Sequence, residues 1–229
     1  DLIITPLPAF EDNYIWCIER EQYDTFAVVD PGDAQVVIDQ ALKTQKTPSA
    51  ILVTHHHADH TSGIAALVDH FGELPIYGPA NSPYNGITHG VSEGASVDVL
   101  GRLFTIMEIP GHTLDHIAYY NDQQGLLFCG DTLFLAGCGR VFEGSPLQMH
   151  QSLNKIMALP AMTMAYPTHE YSVANLKFAM AVDGNNEALK LAQTMCHEIR
   201  AENEVTLPTR LAQEAAINPF LRTHDKAVI

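Results

Sequence analysis

Positive charge is scarce in this 229-residue chain: 12 Lys and Arg stand against 27 Asp and Glu, a formal net charge of −15. That balance repels a nucleic-acid backbone, so RNA or DNA is not expected as a partner. Long apolar runs are also missing; none approaches the roughly 18 residues that cross a bilayer. Asp1 to Phe10 hold no basic stretch followed by an apolar one, the pattern of a leader peptide. Cysteine is sparse. Cys17, Cys129, Cys138 and Cys196 form no Cys-x-x-Cys pair, and a chain of this size folds without bridges. Reduced thiols and a cytoplasmic protein are the expectation. Repeats of about 20 to 50 residues and low-complexity tracts are absent, which excludes solenoid and fibrous designs. Histidine, by contrast, is abundant, with 12 residues in a chain that is 46% hydrophobic and able to bury a core. At about 150 residues per domain, the length suits one large unit with an appendage.

The first two thirds read as short strands, turns and a few helices. Leu2–Leu7, Asn13–Glu19 and Thr25–Asp30 are rich in β-branched and aromatic residues and end at Pro or Gly. Asp33–Lys43 reads as a helix with Asp33 as its N-cap. Ala50–Thr54 follows as a buried strand, and Thr61–Phe71 as a helix closed by Gly72. Ser96–Leu100, Leu103–Ile109, Ile117–Tyr120 and Leu126–Cys129 have the pattern of a meander. A helix over Pro146–Leu159 and a strand over Met162–Tyr166 complete this part. After Tyr171 the pattern turns helical, with Val173–Val182 and Glu187–Glu202. The second of these carries the stripe Leu189, Ala192, Cys196 and Ile199 and a cap at Asn185 or Asn186. A third helix is expected with Pro208 in its first turn. The whole implies a layered α/β domain over residues 1–171 and a small helical domain over 172–229.

The chemistry concentrates in Thr54-His55-His56-His57-Ala58-Asp59-His60. A buried strand delivers this segment, and His55 and His57 point to one side of extended backbone. Imidazole and carboxylate are preferred ligands of zinc and similar divalent metals. Burying several such groups together is costly unless something coordinates them. Further candidates stand at other strand ends: His112 in Pro-Gly-His-Thr, Asp131 in Cys-Gly-Asp-Thr and His169 in Pro-Thr-His-Glu. Loops at strand ends can converge at one edge of a sheet. Five His and two Asp exceed one tetrahedral site, which suggests two metals sharing a carboxylate.

These motifs resemble the metallo-β-lactamase superfamily. Within it the chain is most similar to the hydroxyacylglutathione hydrolases, or glyoxalase II. The resemblance extends through Phe10-Glu11-Asp12-Asn13-Tyr14, Val29-Asp30-Pro31-Gly32-Asp33, Gly137-Cys138-Gly139-Arg140-Val141-Phe142-Glu143-Gly144, His169-Glu170-Tyr171 and Asn218-Pro219-Phe220-Leu221-Arg222. It implies an αββα sandwich with a small C-terminal helical domain. It also implies a ligand assignment: His55, His57 and His112 on one metal, Asp59, His60 and His169 on the other, and Asp131 bridging. The two divalent ions are expected to be zinc, with iron or manganese as family variants. The implied reaction hydrolyses the thioester S-D-lactoylglutathione to D-lactate and glutathione, in methylglyoxal detoxification. A metal-bridging hydroxide is the nucleophile, and no separate side chain takes that role. Arg140, Phe142 and Tyr171 match positions that contact glutathione, Phe142 standing where some members have Tyr. Asp30 is a candidate orienter of a ligand imidazole. The partner is thus a small molecule, with neither nucleic acid nor membrane expected, and the protein is expected to be a monomer.

Two departures from the family pattern stand out. Asp115 occupies a position where Gly is usual in Gly-His-Thr-x-Gly-His, and is expected either to perturb the metal site or to face solvent. Some members carry a basic cluster near the C terminus that grips glutathione; Arg222 and Lys226 do not match it, and the sequence reaches Ile229 without it. Alternatives remain within the same fold. A mononuclear iron persulfide dioxygenase has no use for Asp59, His60 and His169 as ligands, and a hydrolase of another ester or lactone would use the same metals. A β-lactamase is disfavoured by Asp131, where Cys is common. A non-enzymatic metal module would need closed coordination shells.

Overall fold

Alternating apolar residues build the first sheet, and the strands follow the expected order. The computed structural model describes residues 1–229. β1 (Leu2–Ala9), β2 (Asn13–Arg20) and β3 (Thr25–Val29) run antiparallel. Helix α1 (Ala34–Thr44) is capped by the Asp33 side chain, which accepts from Gln35 N. β4 (Thr47–Leu52) then runs parallel to β3. Helices α2 (Ala58–Thr61) and α3 (Ile64–Phe71) follow, and β5 (Ile76–Pro79) and β6 (His89–Val91) complete a six-stranded sheet in sequential order.

The second sheet begins with the expected meander, β7 (Ser96–Val99), β8 (Arg102–Glu108), β9 (Ile117–Asn121) and β10 (Leu126–Gly130). A small hairpin, β11 (Leu133–Phe134) and β12 (Gly137–Cys138), leads to helix α4 (Pro146–Met157). β13 (Met164–Pro167) joins β10 in parallel. Helices α5 (Ser172–Val182) and α6 (Glu187–Ala201) come next, the latter capped by Asn186. β14 (Thr209–Arg210) pairs with β13, and α7 (Leu211–Ile217) ends the regular structure before a short turn at Pro219–Leu221.

Successive residues on each strand divide between two layers. Trp16, Ile18 and Val29 of the first sheet meet Phe104, Tyr119, Phe128 and Tyr166 of the second in one apolar cluster. Ile15, Cys17 and Val28 face the other way, onto Val37 of α1 and Leu67 of α3. Leu127 and Cys129 face outward onto Leu153 and Ile156 of α4. Helix, sheet, sheet and helix are therefore stacked in that order, the αββα arrangement expected. Leu176, Ala179, Leu189 and Cys196 of α5 and α6 pack into the cluster between the sheets.

Three expectations need correction. The single helix over Thr61–Phe71 is two helices parted at Gly63, where a Cβ would lie 2.5 Å from Pro31 O and 2.6 Å from Ala34 N. Close packing against the Asp-Pro-Gly turn breaks it. The third C-terminal helix starts at Leu211, so Pro208 precedes it and lies before β14. The strand expected over Ala50–Thr54 ends at Leu52, leaving Val53–His57 without regular structure. No helix is long and apolar enough to cross a membrane, and all four cysteines are unpaired.

Candidate metal centre

The chain leaves β4 and bends so that His55 and His57 converge, their ring centroids 4.7 Å apart. The turn into α2 brings Asp59 and His60. His112 comes from the loop between β8 and β9, Asp131 from the end of β10 and His169 from the end of β13. All seven predicted ligands meet at one edge of the sandwich. Donor atoms of His55, His57 and His112 lie within 4.8 Å of one another, as do those of Asp59, His60 and His169. Asp131 Oδ2 stands between the two groups, 3.4 Å from His112 Nε2, 3.5 Å from His60 Nε2 and 3.1 Å from His169 Nε2.

Four of the rings are oriented by a hydrogen bond on the far nitrogen. Asp30 accepts at 2.9 Å from His60 Nδ1. Asp12 lies 2.8 Å from His169 Nδ1, and the Arg140 carbonyl 2.7 Å from His112 Nδ1. Thr54 Oγ1 donates to Asp30 Oδ2 at 2.7 Å, so its contact with His55 Nδ1 at 3.0 Å has the imidazole N–H as donor. Each arrangement turns the remaining nitrogen inward with its lone pair free. His112 Nε2 and His57 Nδ1 then face each other at 3.1 Å. His55 Nε2, His60 Nε2 and Asp131 Oδ1 are buried without a hydrogen-bond partner. Buried polar atoms rarely go unpaired. Inward lone pairs from imidazole and carboxylate are the donor set of a divalent cation, and the residues fit one.

Electrostatics point the same way. Burial and the neighbouring His60 and His116 push His55 well below the usual imidazole range. Burial also lowers His57 and His112. For His60, burial opposes protonation, but the carboxylates of Asp131 and Asp30 outweigh it and hold the ring well above its ordinary value. His169 is raised in the same manner, chiefly by Asp131. Asp131 itself sits well below the carboxylate range, because His60 and His169 overcome its burial. A carboxylate-rich pocket that draws protons onto buried imidazoles is one that draws cations.

Two other groupings satisfy the same distance: Asp30, His55 and His60, and His56, His57 and Glu143. Asp30 has both oxygens engaged by Thr54 and His60. His56 has both ring nitrogens facing carboxylates. Neither residue has a free donor, so both back the centre. Asp115 neither faces solvent nor reaches the seven ligands: it is buried against His56 and Ser82. His116 stacks on His55 at 4.6 Å, accepts from Asp131 N, and is driven down to about 3 by burial and by His112.

A cleft of about 390 Å3 opens over the centre, lined by His57, Asp59, His112, Asp131, Phe134, Arg140, Phe142, His169 and Tyr171. Arg140 and Phe142 are exposed at its rim, the guanidinium 5.2 Å from the ring centroid. Tyr171 stacks on His169 at 4.8 Å, its planes within 3°. Gly32 explains how the Asp-Pro-Gly turn fits beneath: a Cβ there would meet Asp59 O at 1.8 Å. Sequence reasoning missed Asp12, Asn13 and Thr54 as supports. Asn13 Nδ2 donates to Asp59 Oδ2 at 3.0 Å. Their only sequence cue was membership of the Glu-Asp-Asn-Tyr segment and of the histidine motif.

A profile of the metallo-beta-lactamase superfamily matches residues 13–169, and one for the hydroxyacylglutathione hydrolase C-terminus matches residues 170–229. A hydroxyacylglutathione hydrolase of Vibrio cholerae is 47% identical over 228 residues, covering 100% of this chain and 89% of that protein. One from Pseudoalteromonas translucida is 48% identical over 220 residues, 96% of this chain and 85% of that protein. The crystal structure of the BLEG-1 B3 metallo-beta-lactamase superposes with a TM-score of 0.70 at 24% identity, over 96% of this chain and 99% of that one.

Proposed function

The chain belongs to the hydroxyacylglutathione hydrolases of the metallo-beta-lactamase superfamily, and from that premise we propose that it hydrolyses S-2-hydroxyacylglutathiones with the aid of two divalent cations. S-D-lactoylglutathione is the foremost substrate and yields D-lactate and glutathione, the chemistry of methylglyoxal detoxification. His55, His57 and His112 hold one cation, Asp59, His60 and His169 hold the other, and Asp131 serves both. The observation that carries this reading is the convergence of inward lone pairs on two triads that share one carboxylate. Imidazole and carboxylate donors without thiolate suit zinc, iron and manganese, with zinc the first expectation.

Bound there, the cations supply an acidified water and Lewis acidity for the carbonyl oxygen. The side chains do the positioning. Arg140, at the rim, pairs with a glutathione carboxylate by a charge-assisted bond. Phe142 and Phe134 give the thioester apolar walls, and Tyr171 closes the side next to His169. The helical segment, residues 172–229, acts as the substrate-side domain by holding Tyr171 in place. Hydrolysis breaks the C–S bond and adds the oxygen of water to the acyl carbon. The thiol has a reference pKa of about 8.5 and leaves as thiolate. No side-chain acid is therefore needed.

Metal analysis of the purified protein, run beside hydrolysis of S-D-lactoylglutathione, tests the reading. Two cations per chain and metal-dependent loss of thioester absorbance, with a matched oxygen ester turned over far more slowly, are expected. Full metal loading with no thioester cleavage would overturn it. A single iron with oxygen consumption would point instead to a dioxygenase.

A further inference from the structure

Five imidazoles enter the metal centre, and four are held from behind by Thr54, Asp30, the Arg140 carbonyl or Asp12. His57 differs. The one ring hydrogen-bond contact it makes is toward His112, on the cation side. The backbone that carries it, Val53–His57, belongs to no helix or strand.

The neighbouring His56 is pinned at both ends. Its Nδ1 lies 2.9 Å from Asp115 Oδ1 and its Nε2 lies 3.1 Å from Glu143 Oε1. Asp115 is only 4% exposed, and its second oxygen accepts from Ser82 Oγ at 2.8 Å. Glu143 also accepts from Leu114 N at 2.9 Å, next to Asp115 in the chain. Four loops that share no secondary structure are thus fastened at one ring. A buried carboxylate with both oxygens engaged holds its partners rigidly, because releasing either would strand a charge in low dielectric. The fixed His56 ring packs edge-on against His57, with centroids 5.1 Å apart, and Phe142 packs edge-on against His57 at 5.6 Å.

We propose that Asp115 is the positioning residue for His57. By fixing His56 it supports from the side the one ligand ring that nothing supports from behind. Through Glu143 it also ties the His55, His57 and His112 triad to the loop that bears Arg140 and Phe142. The proposal rests on the two-cation reading above.

Cobalt(II) titration of the metal-free protein, followed by d–d absorption with a competing chelator, tests it. The wild type fills two sites. Asp115→Ala weakens the site of His55, His57 and His112 by roughly 10–100-fold, the usual cost of losing an outer-shell support. The site of Asp59, His60 and His169 keeps its affinity. Asp115→Asn, which can still bond both Ser82 and His56, restores most of the loss. Ser82→Ala removes one bond only and gives an intermediate loss, which serves if Asp115→Ala does not fold. Unchanged cobalt affinity in Asp115→Ala or Ser82→Ala, or a loss spread equally over both sites, overturns the proposal. Fewer than two cobalt ions bound by the wild type overturns the two-cation reading and this proposal with it.

Discussion

Asp30 Oδ2 lies 2.9 Å from His60 Nδ1, with neither side chain reaching solvent. The same carboxylate accepts from Thr54 N and Thr54 Oγ1, both at 2.7 Å. One buried group therefore sets His60 directly and His55 through Thr54. It does so from a backbone with φ 53°, a left-handed conformation that costs a non-glycine residue about 1–2 kcal/mol. Strain of this kind persists where the surroundings over-determine it.

Replacing Asp30 by Asn puts an amide N–H among groups that are themselves donors. Asp30→Asn is expected to lose about 1–3 kcal/mol of stability in the metal-free protein and roughly 10–100-fold in metal affinity. Thermal melts and chelator competition measure both. Intact affinity for both cations would show that Asp30 orients nothing.

Asp131 reaches rings from both triads. Asp131→Asn removes the shared charge and is expected to reduce kcat by more than the roughly 100-fold upper cost of an outer-shell loss. Metal stoichiometry should drop below two while the far-ultraviolet circular dichroism is preserved. A variant with two cations and near-normal kcat would remove the shared carboxylate from the mechanism.

Arg140 and Phe142 are exposed at the rim of the cleft, the guanidinium over the ring. Arg140→Ala is expected to raise KM for S-D-lactoylglutathione about 10-fold, at the lower end for a hydrogen bond to a charged group, with kcat little changed. Phe142→Tyr restores a hydroxyl and should lower KM a few-fold by the same kind of contact. Steady-state kinetics separate the two parameters, and a fall in kcat alone for Arg140→Ala would contradict a role confined to binding.

Glu214 gives a pH dependence remote from the ligands. Burial pushes its carboxyl up from 4.5 to about 7, despite donors from Thr209 Oγ1, Asn218 Nδ2 and Ala136 N. The folded state therefore holds this proton longer than the unfolded one. The resulting stability is full below the unfolded pKa and is lost as pH rises through about 7. Glu214→Gln cannot titrate there. The wild-type unfolding free energy minus that of the variant should fall by up to about 3 kcal/mol across this range. Denaturant unfolding at a series of pH values reads the difference, and a flat line would place the carboxyl at its ordinary value.

The gathering of the seven candidate side chains was legible in the sequence for two reasons. Four sit within six consecutive residues, and the other three each follow an apolar strand whose end the sandwich brings to the same edge. Their supports were harder to see. Asp12 serves His169 from 157 positions away, and in sequence it is one more acidic residue in a turn. Asp115 looked like a lone charge because Ser82 and His56, which bury it, belong to other loops. A layered α/β domain followed from strand and helix periodicity, whereas the four-layer αββα stack was implied by the family resemblance. The division at Gly63 followed from neither, because the cause is contact with Pro31 and Ala34. β5 and β6 are short strands paired in parallel, so their identity depends on neighbours distant in sequence.

The C-terminal helices have no apolar interior of their own. Leu176, Leu189, Cys196, Leu207 and Ile217 complete the same cluster as Trp16 from one sheet and Phe104 from the other. Swinging these helices away would open that cluster to water, so they cannot serve as a mobile flap during turnover. The whole chain should melt in one transition, and product must depart through the mouth of the cleft with these helices in place.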